Sequence, residues 1–559
     1  MSKYILIILL FFYNISYSQN NEGEIEDAQI LIEKNSSIVL PKVDKIINKI
    51  NTNIYTLDKE DIQFSYLNYL IINDNKKIDK FIRLESENNN ISKNNIRLQV
   101  GNYKSFLIHG KSKIYEYNNW SSYLNLYHKS NLKGIYHENN SRFNESDFDL
   151  YVKHSKRNNA FDVLFNFKKI ITGYYGYLES LNKIDFNDIK INTSKYSIDY
   201  GYSYSNKKIS GRIENKNSFY KDFLYDEYNN IVNIKLNYLF SKKLNFLIAF
   251  NNDYYHLNSF DKLIINTYNL SGLVNYTIEN FYLLIGGKFN RSSKNYKGKS
   301  KNFGGLYPIV NLKYKLNNLS FSVNYGGGLF SNKYSEKIYS NPFMYDPFIF
   351  GKINNTNQKF NINASMEYQL NNNGNIKLAI SQKTLNGFTN YTYNNAEKDN
   401  YPFPTTTPIY LYTLIRYDEN TYVSQLNFSF KFPINSYINP SLDFVYRVFD
   451  HEEYKYDLDT DVLYKPLYTL NIKNEISYNK LKSNIGIHLL LDSYAMDFNS
   501  NIININDYMN LYLYSNYQLN DKISFELDIN NILNKRNEFY FMYPELGFNA
   551  MAGILLKFW

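Results

Sequence analysis

Apolar and polar residues alternate with a period of two over most of this chain. Val232, Ile234, Leu236, Tyr238 and Phe240 are separated by Asn233, Lys235 and Asn237, and Ser241-Lys242-Lys243 then turns the chain. Leu244, Phe246, Ile248 and Phe250 resume the apolar face. Successive side chains of a strand point to opposite faces, so this unit is two strands with one oily and one polar side. It recurs around turns at 371–374, 433–435 and 520–521, with further short turns near Asn118, Asn158, Asn206, Glu279, Asn317 and Lys480. The connections between these hairpins are longer, the largest being 332–358, 384–420 and 450–461. Short turns on one side and long loops on the other predict an all-β fold: a large transmembrane antiparallel β-barrel with periplasmic turns and extracellular loops. Ten short turns and one further strand at each end give about 22 strands. The range is 16–22, because 170–192 does not resolve into strands. A soluble sandwich also alternates, but it rarely reaches this length as one domain.

The two ends carry separate signals. Lys3 precedes an apolar run at 5–13, and Ser16-Tyr17-Ser18 follows it, the pattern of a secretory signal peptide. The run is too short for a membrane helix, and no cysteine follows it for lipid anchoring. The chain therefore divides into a signal peptide (1–18), a periplasmic leader partly ordered in the barrel mouth (19–95) and the barrel (96–559). At the other end Phe548, Ala550, Ala552, Ile554, Leu556 and Phe558 share one face, and Asn549, Gly553 and Lys557 share the other. This strand is expected to close against the first one, since lipid tolerates no open sheet edge.

The stretch from Phe525 to Phe558 resembles the final hairpin of TonB-dependent receptors. An apolar strand leads to Asn531-Ile532-Leu533-Asn534-Lys535-Arg536, then Tyr540, Pro544, Gly547 and a closing strand ending in Phe558. Asn341-Pro342-Phe343-Met344 resembles the Asn-Pro-x-Leu step that opens a strand after a long outer loop in that family. The resemblance covers about 96–559 and implies an outer-membrane location, outer-membrane lipids as surroundings and uptake of a solute or ligand. It also implies that Ile554, Leu556, Phe558 and Trp559 are the signal read by the barrel-insertion machinery, although Trp559 stands one residue beyond the usual terminal aromatic. The family's plug exceeds a hundred residues, whereas about 75 separate Gln19 from the first strand and lack Gly-rich or Val-Asp-Gly-like steps. The barrel is therefore expected without its own plug. In the leader, Ile25, Ile30, Leu31 and Ile32 lie in an acidic-apolar run where the family's coupling segment lies. An exposed strand there adds to the sheet edge of a partner such as a TonB-type protein; the alternative is a leader packed in the barrel mouth.

Composition changes this picture little. A mean hydropathy of −0.48 is compatible with a barrel, in which only every second residue meets lipid. The 58 Tyr and 39 Phe suit strands and interface belts, while the abundance of Asn, Lys, Ile and Tyr also reflects AT-rich coding. The net charge of +9 belongs to loops and lumen, and an exported chain meets no nucleic acid. Seven scattered histidines show no metal-ligand spacing, no cofactor motif appears, and no nucleophile constellation marks an enzyme. Ser293 to Ser300 ends in Gly-Lys-Ser without the leading Gly of a phosphate loop, and reads as a basic outer loop. Asp457, Asp459 and Asp461 alternate like calcium ligands, but Val462 stands where the EF-hand needs Gly, so a solvated acidic loop is the plainer reading. Pro342, Phe343, Tyr345, Pro347, Phe348 and Phe350 crowd one outer loop, and Tyr401, Phe403, Tyr410 and Tyr412 another. Such aromatics suit sugar stacking, a partner protein, or loops folded inward over the mouth. Three functions stay open: plugless uptake, with a surface lipoprotein or separate plug as partner; a scaffold subunit of a secretion, assembly or adhesion complex; and a passive diffusion channel.

Overall fold

The computed structural model of the chain describes residues 94–134, 136–177, 184–370, 374–393, 409–451, 464–499 and 501–558. The signal peptide, nearly all of the leader with Ile25, Ile30, Leu31 and Ile32, the triplet Asp457, Asp459 and Asp461, and Trp559 lie outside these residues.

Twenty-two antiparallel strands form one closed sheet. They run from 8 residues (Asn94–Gly101) to 20 residues (Tyr412–Lys431). Closure is the antiparallel pairing of the first strand, Asn94–Gly101, with the last, Asn549–Phe558, from Asn94 opposite Phe558 to Gly101 opposite Met551. A Cβ at Gly553 would lie 1.9 Å from the Leu98 carbonyl oxygen, so only glycine permits the approach at this seam. Asn102 fastens the seam's outer end. Its Nδ2 donates to the Phe548 carbonyl at 2.6 Å, and its Oδ1 accepts from the Ala550 N–H at 3.0 Å.

Alternation sorts the side chains as the pattern requires. Ile213, Leu236, Ile248, Leu270, Ile285 and Ile380 face outward and are about half exposed in the isolated barrel, which is the surface lipid covers. The inward positions are amides and charges. Asn233 donates to Glu214 at 3.3 Å, Asn251 to Asn233 at 2.7 Å, Asn269 to Asn251 at 2.8 Å, and Asn290 to Asn269. This ladder crosses five adjacent strands of the inner wall. Asparagine that reads as coding bias in the sequence here ties one strand to the next. At the rim of short turns, Asn118, Asn119, Asn317 and Asn479 take left-handed backbone with φ between 46° and 70°, which asparagine tolerates better than most residues.

The outer rim differs from the sequence reading in four places. Four of its connections, 102–104, 222–225, 259–261 and 297–298, are as short as the turns of the opposite rim. Ser293 to Ser300 is no loop: strands Phe281–Tyr296 and Lys299–Leu316 continue through it and turn at Lys297-Gly298. The loop expected at 384–420 begins and ends as strand, because Asn375–Tyr393 and Tyr412–Lys431 pair well past its expected ends, across a bulge between Asn386 and Phe388. Finally, 170–192 comprises a strand end at Gly173, an outer segment with a 3-10 turn at Phe186–Asp188, and a strand beginning at Lys190.

Candidate functional site: a tyrosine-stitched cap over the outer mouth

A loop buried in a protein carries backbone carbonyls that water cannot reach, so each needs a donor. The outer segments here meet that need with tyrosine. Tyr174 donates to the Met344 carbonyl at 3.1 Å, Tyr225 to Asp346 at 2.9 Å and Tyr391 to Lys337 at 2.8 Å. Tyr412 donates to Phe541 at 2.9 Å, Tyr540 to Ser340 at 2.5 Å and Tyr543 to Tyr410 at 2.5 Å. Each of these bonds joins different segments of the chain. The rings pack into a continuous core: Phe343 stacks on Tyr543 with centroids 3.7 Å apart, and Tyr175, Tyr540 and Tyr412 meet them edge-on or tilted. Tyr410 and Tyr412 are fully buried. Tyr410 shares a 2.6 Å hydrogen bond with Tyr464, whose phenol burial pushes up to about 12, so it stays neutral.

The 331–355 segment is the centre of this cap, and the inner wall clamps it. It contains a short helix, Tyr334–Ser340, and a 3-10 turn, Ile349–Gly351. Glu227 on the wall accepts from the Ser335 N–H at 2.8 Å and the Ser335 hydroxyl at 2.6 Å. Asp253 pairs with Lys333 at 3.4 Å. Lys294 donates to the carbonyls of Phe350 and Ile353 at 3.1 and 2.8 Å, which gives the basic stretch read from the sequence a structural task. Asn355 donates to Thr267 and Ser292 at 2.8 and 2.9 Å. At the rim, Asp222 accepts from Tyr220 and Tyr334, each at 2.8 Å. Burial raises its carboxyl above the ordinary aspartate range, and the hydrogen bonds it accepts oppose that rise.

Both aromatic clusters of the sequence therefore meet in one structure. Phe343, Tyr345 and Phe350 of the first pack with Tyr410 and Tyr412 of the second, while Tyr401 and Phe403 lie outside the described residues. Phe348 stays exposed. Asn341-Pro342-Phe343-Met344 opens no strand. It lies inside the cap, with Met344 in a single bridge to Tyr412, and the next strand starts at Thr356. The Asn531 step has a local cause: its side chain donates to the Lys535 and Leu546 carbonyls at 2.7 and 3.1 Å, and so shapes the last outer segment. Ile554 and Leu556 lie on the closing strand, with Phe558 at its end. The wall residues Glu227 and Asp253 escape sequence reading, because nothing local distinguishes them from other inward charges, and Lys294 is legible there only as part of a basic outer loop. No group of three or more His, Asp or Glu among the described residues is placed to hold a metal.

No protein-family model matches the chain, and no curated protein matches it in sequence. Solved structures do match its fold. The FrpB iron transporter from Neisseria meningitidis (F5-1 variant) superposes with a TM-score of 0.65 at 8% identity, over 83% of this chain and 82% of that one. The copper transporter OprC gives 0.62 at 9% identity, over 83% and 80%. The ferripyoverdine receptor of the outer membrane of Pseudomonas aeruginosa, bound to ferripyoverdine, gives 0.61 at 12% identity, over 83% and 72%. The likeness is one of fold: a closed 22-stranded antiparallel β-barrel with the architecture of the TonB-dependent receptors.

Proposed function

We propose that this outer-membrane barrel takes up a solute and that its outer gate is the loop cap, with no folded plug of its own. One observation carries the reading. The outer segments form a packed core with stitched backbone across the mouth, above a wall of amides and charges. A passive channel gains nothing from such a core, whereas an uptake protein needs a mouth that is closed until it is engaged. The transporters and receptor that share the fold support uptake as the task. In this reading the leader couples the barrel to the periplasm, with Ile25, Ile30, Leu31 and Ile32 adding as a strand to the sheet edge of a TonB-type protein. Ile554, Leu556, Phe558 and Trp559 direct insertion of the barrel.

The test is single-channel conductance of the full chain in a planar bilayer, with heat-modifiable gel migration confirming a folded barrel. Wild type is expected to be silent, and the double variant Tyr410→Ala/Tyr543→Ala to conduct. Large steady currents from wild type would overturn the gate and leave a passive channel. Silence from a folded double variant would mean that something else fills the lumen, which is the scaffold reading.

A further inference from the structure

The outward face of the barrel changes chemistry sharply on three neighbouring strands, Lys262–Ile278, Phe281–Tyr296 and Lys299–Leu316. Their register sets outward residues side by side. Leu270, Phe289 and Leu306 form an apolar row; Tyr268, Arg291 and Gly304 form the next row toward the outer rim; Asn266, Ser293 and Asn302 form the one after. Arg291 is exposed while its neighbours Asn290 and Ser292 are fully buried, so its side chain points away from the lumen. A groove of about 390 Å³ opens at this step, lined by Tyr268, Phe289, Arg291, Ser293 and Asn302. Gly304 leaves the flank of Arg291 uncovered, and Asn266 donates to the Tyr268 hydroxyl at 2.6 Å. No carboxylate among the described residues pairs with Arg291.

We infer that this groove binds the phosphorylated sugar headgroup of a glycolipid in the outer leaflet. A guanidinium at the edge of hydrocarbon is costly unless an anion meets it, and its planar fork matches phosphate. The row above supplies amides and a hydroxyl for a sugar. The row below supplies apolar surface for acyl chains, which a free phosphate would not use. The groove lies toward the rim of long connections, so the leaflet it meets is the outer one. The site is independent of what crosses the lumen and of whether the cap opens.

The experiment titrates the purified, delipidated full chain in detergent with bis-phosphorylated lipid A, dephosphorylated lipid A and phosphatidylglycerol. Binding of phosphorylated lipid A is expected to weaken about tenfold in Arg291→Ala, the scale of one charge-assisted contact, and to change little in the control Lys301→Ala. Arg291→Lys should retain part of the affinity. Dephosphorylated lipid A should bind wild type as weakly as the phosphorylated form binds Arg291→Ala. Equal binding by wild type and a folded Arg291→Ala would overturn the site. Phosphatidylglycerol binding as tightly as lipid A would overturn the glycolipid assignment, since the sugar would then contribute nothing. Because binding is read without transport, failure here leaves the uptake reading untouched, and failure of uptake leaves this one untouched.

Discussion

The inner wall and the cap solve the same problem with different chemistry. Both must satisfy polar groups that face inward. The wall does so with side chains that bond to the next strand, as in the run from Glu214 through Asn233, Asn251 and Asn269 to Asn290. The cap does so with tyrosine hydroxyls that bond to the backbone of distant segments, as Tyr540 does to Ser340. The wall's backbone is already satisfied by the sheet, so its amides are adjustable and only modest contributors. The cap's backbone has only two short two-stranded pairings to rely on, so hydroxyls such as those of Tyr225, Tyr540 and Tyr543 hold carbonyls that would otherwise be orphaned. The wall is thus built to tolerate change, and the cap to hold or release as a unit.

That contrast can be broken most directly in the ring core. Tyr410→Ala removes a fully buried ring and its bond to Tyr464, with an expected local cost of about 3–5 kcal/mol, as for other large buried aromatics. Cleavage of intact cells by an added protease should then appear within 331–355, and a protected loop would contradict the cap's unity. Glu227→Ala comes next. It strands the Ser335 N–H and hydroxyl, at about 1–3 kcal/mol for each group left unpaired, and should speed the same cleavage without conductance as large as the ring variants give.

Asp222 gives the contrast a pH dependence. Its carboxyl titrates higher in the closed cap than in an open one, so the closed cap binds the proton more tightly. The cap should therefore be tightest in acid and loosen as pH rises from about 4, the ordinary aspartate value, through the raised value. Asp222→Asn should flatten this profile. A cap that instead opens as pH falls would show that other groups control it. The smallest effect is expected in the wall. Asn251→Ala removes one rung from strands whose backbone the sheet already holds, and should lower the urea unfolding free energy by less than about 1 kcal/mol, with conductance unchanged.

What could be read in the sequence divides along the same line. The wall is periodic, so Val232 to Phe250 displays its strands, its turn and its faces within twenty residues or so, and the last strand displays its need for a partner. The cap is not periodic. Phe388, Thr389, Asn390 and Tyr391 are buried in succession because both faces of the strand are covered there, so alternation stops and the stretch reads as a loop. The basic run at 293–300 misleads for a different reason: Lys294 turns inward to carbonyls of the cap, a role that no local pattern encodes. The aromatic crowding at 342–350 and at Tyr410 and Tyr412 does point to the cap, but not to which way the loops fold. That is decided by pairs such as Tyr174 with Met344, far apart in the chain.

The seam sets a schedule as well as an edge. Residues 94–101 pair with 105–111 on one edge, but on the other they find their partners only at 551–558, and every other barrel strand lies between. A chain emerging from its amino end must therefore keep its first strand unpaired on one side until the last is made. Long-range closure of this kind is the slowest class of contact to form. During that wait the open edge of the first strand is a ready template for a foreign strand. Whatever escorts this protein to the membrane has to shield those few residues for longer than any others.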